Sequence, residues 1–90
     1  MKEVFNRVFD KIKNSEILDI NGYLIQNWRL NESEEPILEI EYKDEDEQFF
    51  NFYFTKKSFE NASIDKQVIS LKDELNEDVQ IACYSLHALI

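Results

Sequence analysis

The side chains best suited to chemistry are one cysteine, one histidine and many carboxylates. Cys83 and His87 lie four residues apart, so they can share a face in a helix or in a strand. A thiol and an imidazole in contact can act as a nucleophile and its base. However, no glycine turn suggests an oxyanion hole, and structural zinc needs four ligands rather than one cysteine and one histidine. We therefore predict no catalytic residue, no metal site and no cofactor.

The acidic segment that follows Lys43 begins like a calcium-binding loop. Asp44, Asp46 and Gln48 match the first, third and fifth positions of such a loop. Phe49 stands where the loop requires glycine, which excludes an EF-hand. A chain of 90 residues with one glycine also has little means of forming a deep pocket. A small enzyme that uses a carboxylate pair or the thiol is the most distant of the functional alternatives.

Acidic side chains outnumber basic ones, 19 to 10, and give a net charge of −9. This charge argues against direct binding to nucleic acid or to an anionic membrane surface, and it favours a basic protein as partner. The single cysteine excludes an internal disulfide, and no stretch has the ~20 apolar residues of a membrane helix. The N-terminal segment lacks the apolar core of a signal peptide. We expect a cytoplasmic protein.

One α+β domain over residues 1–90 must position these side chains. Apolar residues recur at helical spacing over 2–14, which predicts an amphipathic helix packed on one face of an antiparallel sheet. Asn21-Gly22 predicts a hairpin turn after a short strand over 16–20. Alternating apolar residues predict a three-stranded meander with these strands: 23–30, 37–43 and 48–54.

The last third of the chain fits two patterns. Over residues 62–90, apolar side chains recur at helical spacing, yet many of them are strand formers such as Val68, Ile69 and Ile81. The segment is therefore either a further hairpin or C-terminal helices. No internal repeat or low-complexity tract is evident in the sequence, apart from the acidic loops.

The middle strand of the meander indicates which face of the sheet meets water. Glu39 and Glu41 point to the same side, about 6.8 Å apart. Burying both carboxylates under a helix would be unfavourable, so we expect this face to be open and the first helix to cover the other face. The aromatic and aliphatic residues expected on the open face are Tyr23, Ile25, Phe49 and Tyr53.

Aromatic rings among fixed charges are typical of protein-recognition surfaces. Nine carboxylates lie between positions 32 and 47. From these we predict a partner-binding surface with the following residues: Glu39, Glu41, Asp44, Glu45, Asp46, Glu47, Phe49 and Tyr53. The expected partner is a basic protein, such as a nuclease or other nucleic-acid-binding enzyme, whose phosphate site the acidic row would occupy by charge mimicry.

In size and charge the chain is similar to immunity proteins of toxin systems and to small phage inhibitors that imitate DNA, although it shares no motif with them. Two other interpretations stay open. The chain can be an adaptor, a chaperone or a homo-oligomer such as a homodimer, joined through its apolar residues. Alternatively, the acidic loops only keep a small protein in solution.

Overall fold

The structure is a computed structural model that describes residues 3–85. Helix α1 spans Glu3–Lys13 and buries Val8, Phe9 and Ile12 along one stripe, which confirms the predicted amphipathic helix. The helix ends where Ser15 Oγ donates a hydrogen bond of 2.6 Å to the Lys11 carbonyl. Neither helix of the described chain is long and apolar enough to cross a bilayer.

The first hairpin forms at the predicted turn. Strands β1 (Ile17–Ile20) and β2 (Tyr23–Ile25) pair antiparallel, with Ile20 opposite Tyr23. Asn21 and Gly22 have φ values of 55° and 87°, the left-handed conformation that a two-residue turn of this kind requires. The Gly22 N–H also donates to the Asp19 carboxylate at 3.0 Å, which fixes the turn further.

The strand predicted over 23–30 is wrong as a single element. It divides into β2 and β3 (Trp28–Leu30), which belong to different sheets. The physical reason is a change of parity: Ile25 is buried at an odd position, whereas Trp28 and Leu30 contact the core from even positions. In a continuous strand, Ile25 would point to one face of the sheet, and Trp28 and Leu30 would point to the other. Residues 26–27 lie outside both strands, and this break allows all three apolar side chains to reach the core.

The meander itself is confirmed from β3 onward. Strand β4 (Leu38–Lys43) lies between β3 and β5 (Phe49–Phe54), and both neighbours run antiparallel to it. One face of this three-stranded sheet buries Leu38, Ile40 and Phe54 in the core.

The last third forms strands, so the hairpin alternative is confirmed and the helical alternative is wrong for its described part. The strands are β6 (Ser63–Asp65), β7 (Val68–Lys72) and β8 (Asp78–Tyr84). Alternate residues of β8 are buried, which is the period of a strand. A short helix, α2 (Lys56–Glu60), precedes them and is capped by Thr55. The predictions for 86–90 lie outside the described residues.

Within residues 3–85, two sheets and two helices share one core, which confirms the α+β class. The larger sheet has the order β2-β1-β8-β7-β6, and the smaller has the order β3-β4-β5. Helix α1 contributes Val8 and Ile12 to a core cluster that also contains residues of both sheets. The two helices meet through the rings of Phe5 and Phe59, whose centroids are 5.5 Å apart. This arrangement leaves the second face of the smaller sheet outside the core.

Candidate protein-binding face

The second face of the three-stranded sheet, called the outer face below, consists of alternate residues of its strands. The register places Arg29 and Tyr53 on either side of Glu39, Asn51 opposite Glu41, and Phe49 opposite Lys43. These residues form the outer face: Arg29, Glu39, Glu41, Lys43, Phe49, Asn51 and Tyr53. The sheet has one buried and one open side, as the alternation in β4 predicts.

The two carboxylates of β4 differ in their surroundings. Glu41 is exposed, whereas the side chain of Glu39 is 29% exposed and lies 3.5 Å from the Arg29 guanidinium. Because Arg29 is 74% exposed, this ion pair is screened by water and contributes little to the stability of the fold. The exposure of Glu41 and the partial exposure of Glu39 agree with the prediction that no helix covers these carboxylates.

Two residues expected on the outer face lie elsewhere. Ile25 is 4% exposed and belongs to the core, because β2 joins the larger sheet. Tyr23 packs its ring against Tyr42, with 5.0 Å between the centroids. Phe49 is on the outer face as predicted and is 66% exposed, with the Lys43 ammonium 5.5 Å from its ring centroid. Tyr53 is half-buried beside Glu39.

The loop from Asp44 to Gln48, called the acidic loop below, is held in shape by its first residue. The Asp44 carboxylate accepts hydrogen bonds of 2.9 Å from the N–H groups of Asp46 and Gln48. The Glu47 N–H donates to the Asp44 carbonyl at 3.0 Å, and Glu47 has a φ of 63°. Asp44 therefore supports the loop, while Glu45, Asp46 and Glu47 are exposed at its tip.

A second loop repeats this geometry between β7 and β8. The Asp73 carboxylate accepts from the N–H groups of Leu75 and Glu77 at 2.9 and 3.0 Å, and Asn76 has a φ of 67°. The sequence carries one signal of the similarity between the two loops: Lys-Asp-Glu begins both segments, at 43–45 and at 72–74.

The second loop also touches the smaller sheet. The Glu74 N–H donates a hydrogen bond of 2.9 Å to the carbonyl of Tyr53 in β5. This contact places the second loop, with its carboxylates, next to β5 at the edge of the smaller sheet. Neither the proximity of Glu74 nor the edge position of β5 follows from the local sequence, because both depend on how the two sheets pack.

Other sites for chemistry are poorly supported within residues 3–85. Cys83 is 5% exposed, and burial raises the pKa of its thiol, so the thiol is protonated at neutral pH. Its predicted neighbour His87 lies outside the described residues. No group of three potential metal ligands occurs in the described chain.

A groove of the described chain lies between α2 and the β7–β8 hairpin, with a volume of about 820 Å³. The side chains of its buried polar residues Ser58 and Asp73 already accept hydrogen bonds from backbone N–H groups, of Thr55 at the helix cap and of Glu77 in the loop. No buried side-chain nitrogen or oxygen of the described residues lacks a hydrogen-bond partner. The groove therefore offers no unused buried polar group to a small ligand.

Comparison with known proteins adds no assignment to this geometry. No protein-family model and no curated protein matches the sequence.

Proposed function

We propose that the protein binds a basic partner protein through the outer face and the acidic loop, and that it occupies a site where the partner otherwise binds nucleic acid. The observation that carries this proposal is an open sheet face flanked by the acidic loop, which gives the combined surface an excess of negative charge. The outer face and the acidic loop together hold six carboxylates and two cations, Arg29 and Lys43. Such a surface attracts a positively charged site and accelerates its association.

The two cations leave most of this charge uncompensated. The Lys43 ammonium lies 3.4 Å from the Glu47 carboxylate, but the Glu47 side chain is 81% exposed. This ion pair is therefore weak and contributes little to the stability of the loop. Glu41, Glu45 and Asp46 form no ion pair with any described residue. These three carboxylates therefore remain available to lysine and arginine side chains of a partner, with Phe49 beside them as an apolar anchor.

Charge removal without loss of shape tests the proposal. The test variant combines Glu41→Gln, Glu45→Gln and Asp46→Asn, and it retains Asp44 because that residue supports the loop. A matched control combines Glu3→Gln, Asp10→Asn and Asp65→Asn, three exposed residues of α1 and β6. Both variants change the net charge by the same amount.

The assay begins with a basic protein retained from cell extract by the immobilised wild-type protein. After purification, its affinity for the three proteins and for nucleic acid is measured at several salt concentrations. We expect the control to bind like the wild type, and the test variant to bind at least about tenfold more weakly, with a smaller dependence on salt. We also expect the wild type to compete with nucleic acid. Equal affinity of the two variants, or binding without competition, would refute the proposal.

A further inference from the structure

In the part of the chain that the structure describes, the two sheets end in four edge strands, and β5 differs from the other three. Strands β2, β3 and β6 have three residues each, whereas β5 has six. The sequence of β5, Phe-Phe-Asn-Phe-Tyr-Phe, contains no charge and no proline. Proteins normally protect edges by short length, charge, proline or a covering segment, because an open edge pairs with other strands. A long and uncharged edge therefore suggests pairing with another chain.

Half of the β5 backbone points away from β4. The Asp44 N–H donates to the Gln48 carbonyl and the Ile37 N–H to the Phe54 carbonyl, so the even-numbered residues of β5 face β4. The odd-numbered residues face outward, as the bond from Glu74 to the Tyr53 carbonyl shows. Within residues 3–85, the outward N–H and C=O groups of Phe49 and Asn51 have no backbone partner.

We propose that β5 accepts an extended, basic segment of the partner protein as an additional strand, an inference that rests on the proposed function. Charge selects this occupant. A second copy of the chain would bring another net charge of −9 to an edge already flanked by the acidic loop and by Glu74. A segment rich in lysine and arginine is instead attracted to the same carboxylates.

The outer face provides a binding position for the basic side chains. Asn51, a short residue, lies between the edge of the sheet and Glu41 of β4. Adjacent strands are about 4.8 Å apart, so an arginine opposite Asn51 on an added strand can extend across it towards Glu41. The next residue of the added strand points to the other face, beside the partly exposed Phe50 and Phe52. The preferred segment thus alternates basic and apolar residues, as in strand-addition complexes.

The hydrogen bond from Glu74 limits the length of the added strand. Because the Tyr53 carbonyl is already occupied, pairing can extend along Phe49, Asn51 and the N–H of Tyr53 only. A short segment of about five residues covers this distance at about 3.4 Å per residue.

Amide hydrogen exchange tests the inference with defined peptides. The probe is a synthetic peptide, Lys-Val-Arg-Val-Lys with blocked ends, and the controls are its Glu-Val-Glu-Val-Glu counterpart and the same basic peptide methylated at every backbone nitrogen. We expect the basic peptide alone to slow exchange at the outward amides of Phe49, Asn51 and Tyr53 by about tenfold or more at saturation. The amides of Phe50 and Phe52, already bonded to β4, should change little. Equal protection by the N-methylated peptide, or no protection of the outward amides, would overturn strand addition.

A backbone variant provides a second measurement. Asn51→Pro removes an N–H that faces outward, so the pairing of β5 with β4 is retained. Asn51→Ala is the matched control, since it removes the side chain and keeps the N–H. We expect the peptide to bind the proline variant about tenfold more weakly than the alanine variant. If the proline variant does not fold, a protein with an N-methylated Asn51 made by ligation replaces it, and equal affinities would again overturn the inference.

The outcomes separate this inference from the proposed function. If removal of Glu41, Glu45 and Asp46 charge weakens the partner but the outward amides of β5 stay unprotected in the complex, charge-directed binding stands and strand addition fails. If the amides are protected regardless of those charges, the charge-based function fails. Protection in the free protein that rises with concentration, together with a doubled mass in light scattering, would show that a second copy occupies the edge and would overturn the inference.

Discussion

The backbone conformation of Glu47 gives a prediction that can be worked out in detail. Glu47 has a φ of 63° in the acidic loop, at the position that Asn76 takes in the second loop with a φ of 67°. A residue with a Cβ is strained there by about 1–2 kcal/mol, and asparagine tolerates the conformation better than glutamate. We therefore expect Glu47→Gly to stabilise the folded protein, even though glycine is usually unfavourable.

The magnitude follows from opposing effects. Relief of the strain contributes about 1–2 kcal/mol, and the larger backbone entropy of unfolded glycine removes about 0.5–1 kcal/mol. The ion pair with Lys43 is exposed and its loss matters little. The expected net gain is about 0.5 kcal/mol. Glu45→Gly is the matched control because Glu45 lies in the same loop without a positive φ, so it should lose about 0.5–1 kcal/mol.

Urea unfolding of the wild type and of both variants measures these changes. The two glycine variants should differ by about 1 kcal/mol, equivalent to roughly 4–8 °C in Tm for a domain of this size. Glu47→Asn should also stabilise, while Asn76→Ala should destabilise by about 1 kcal/mol. Should the two glycine variants shift stability in the same direction and by the same amount, the argument from loop strain would be wrong.

Three further predictions concern residues outside the acidic loop. Asp73→Ala should lower the free energy of unfolding by about 1–2 kcal/mol, because two backbone N–H groups lose their acceptor. Asp73→Asn should retain most of the stability of the wild type, and denaturation in urea compares the two variants. Gly22→Ala should cost about 1 kcal/mol in the same assay through its φ of 87° alone, since no atom lies within 4 Å of an added Cβ; an unchanged stability would contradict this. Burial raises the pKa of the Cys83 thiol, so the unfolded chain ionises first and stability should fall as pH rises above about 8.5; Cys83→Ala should reduce that slope, and iodoacetamide should label the native thiol slowly.

The elements that could be predicted are those whose pattern is local. Helix α1 and strands β4 and β5 each show a single periodicity, and Asn21-Gly22 has few conformations other than a tight turn. Residues 62–84 were ambiguous because apolar residues there fit a helix as well as strands. Pairing settles the choice: β8 aligns with β1, more than fifty positions earlier in the chain, and with β7. Periodicity within a segment does not show which distant strand is its neighbour.

The position of the candidate site was partly predictable for the same reason. Alternation alone placed Glu39, Glu41 and Phe49 on one open face. It could not separate the residues that support the loop from those that are free. Asp44 and the tip residues Glu45 and Asp46 have the same charge, yet only Asp44 accepts hydrogen bonds from the backbone of the loop. The change of parity between the apolar residues Ile25 and Trp28 is the feature of the sequence that indicates the strand break.

The acidity of the surface and the open edge of β5 have a common physical explanation. An uncharged strand of six residues rich in phenylalanine is prone to pair with copies of itself. Carboxylates on the adjacent loop and on β4 oppose that pairing, since each copy carries the same charge, but they attract a basic strand. Charge therefore acts as the selector and the backbone edge as the binding element. On this view the variant Glu41→Gln, Glu45→Gln, Asp46→Asn should lose its partner and gain self-association, and the self-association should protect the outward amides of β5. A surface that only keeps the protein in solution would not link these effects to β5.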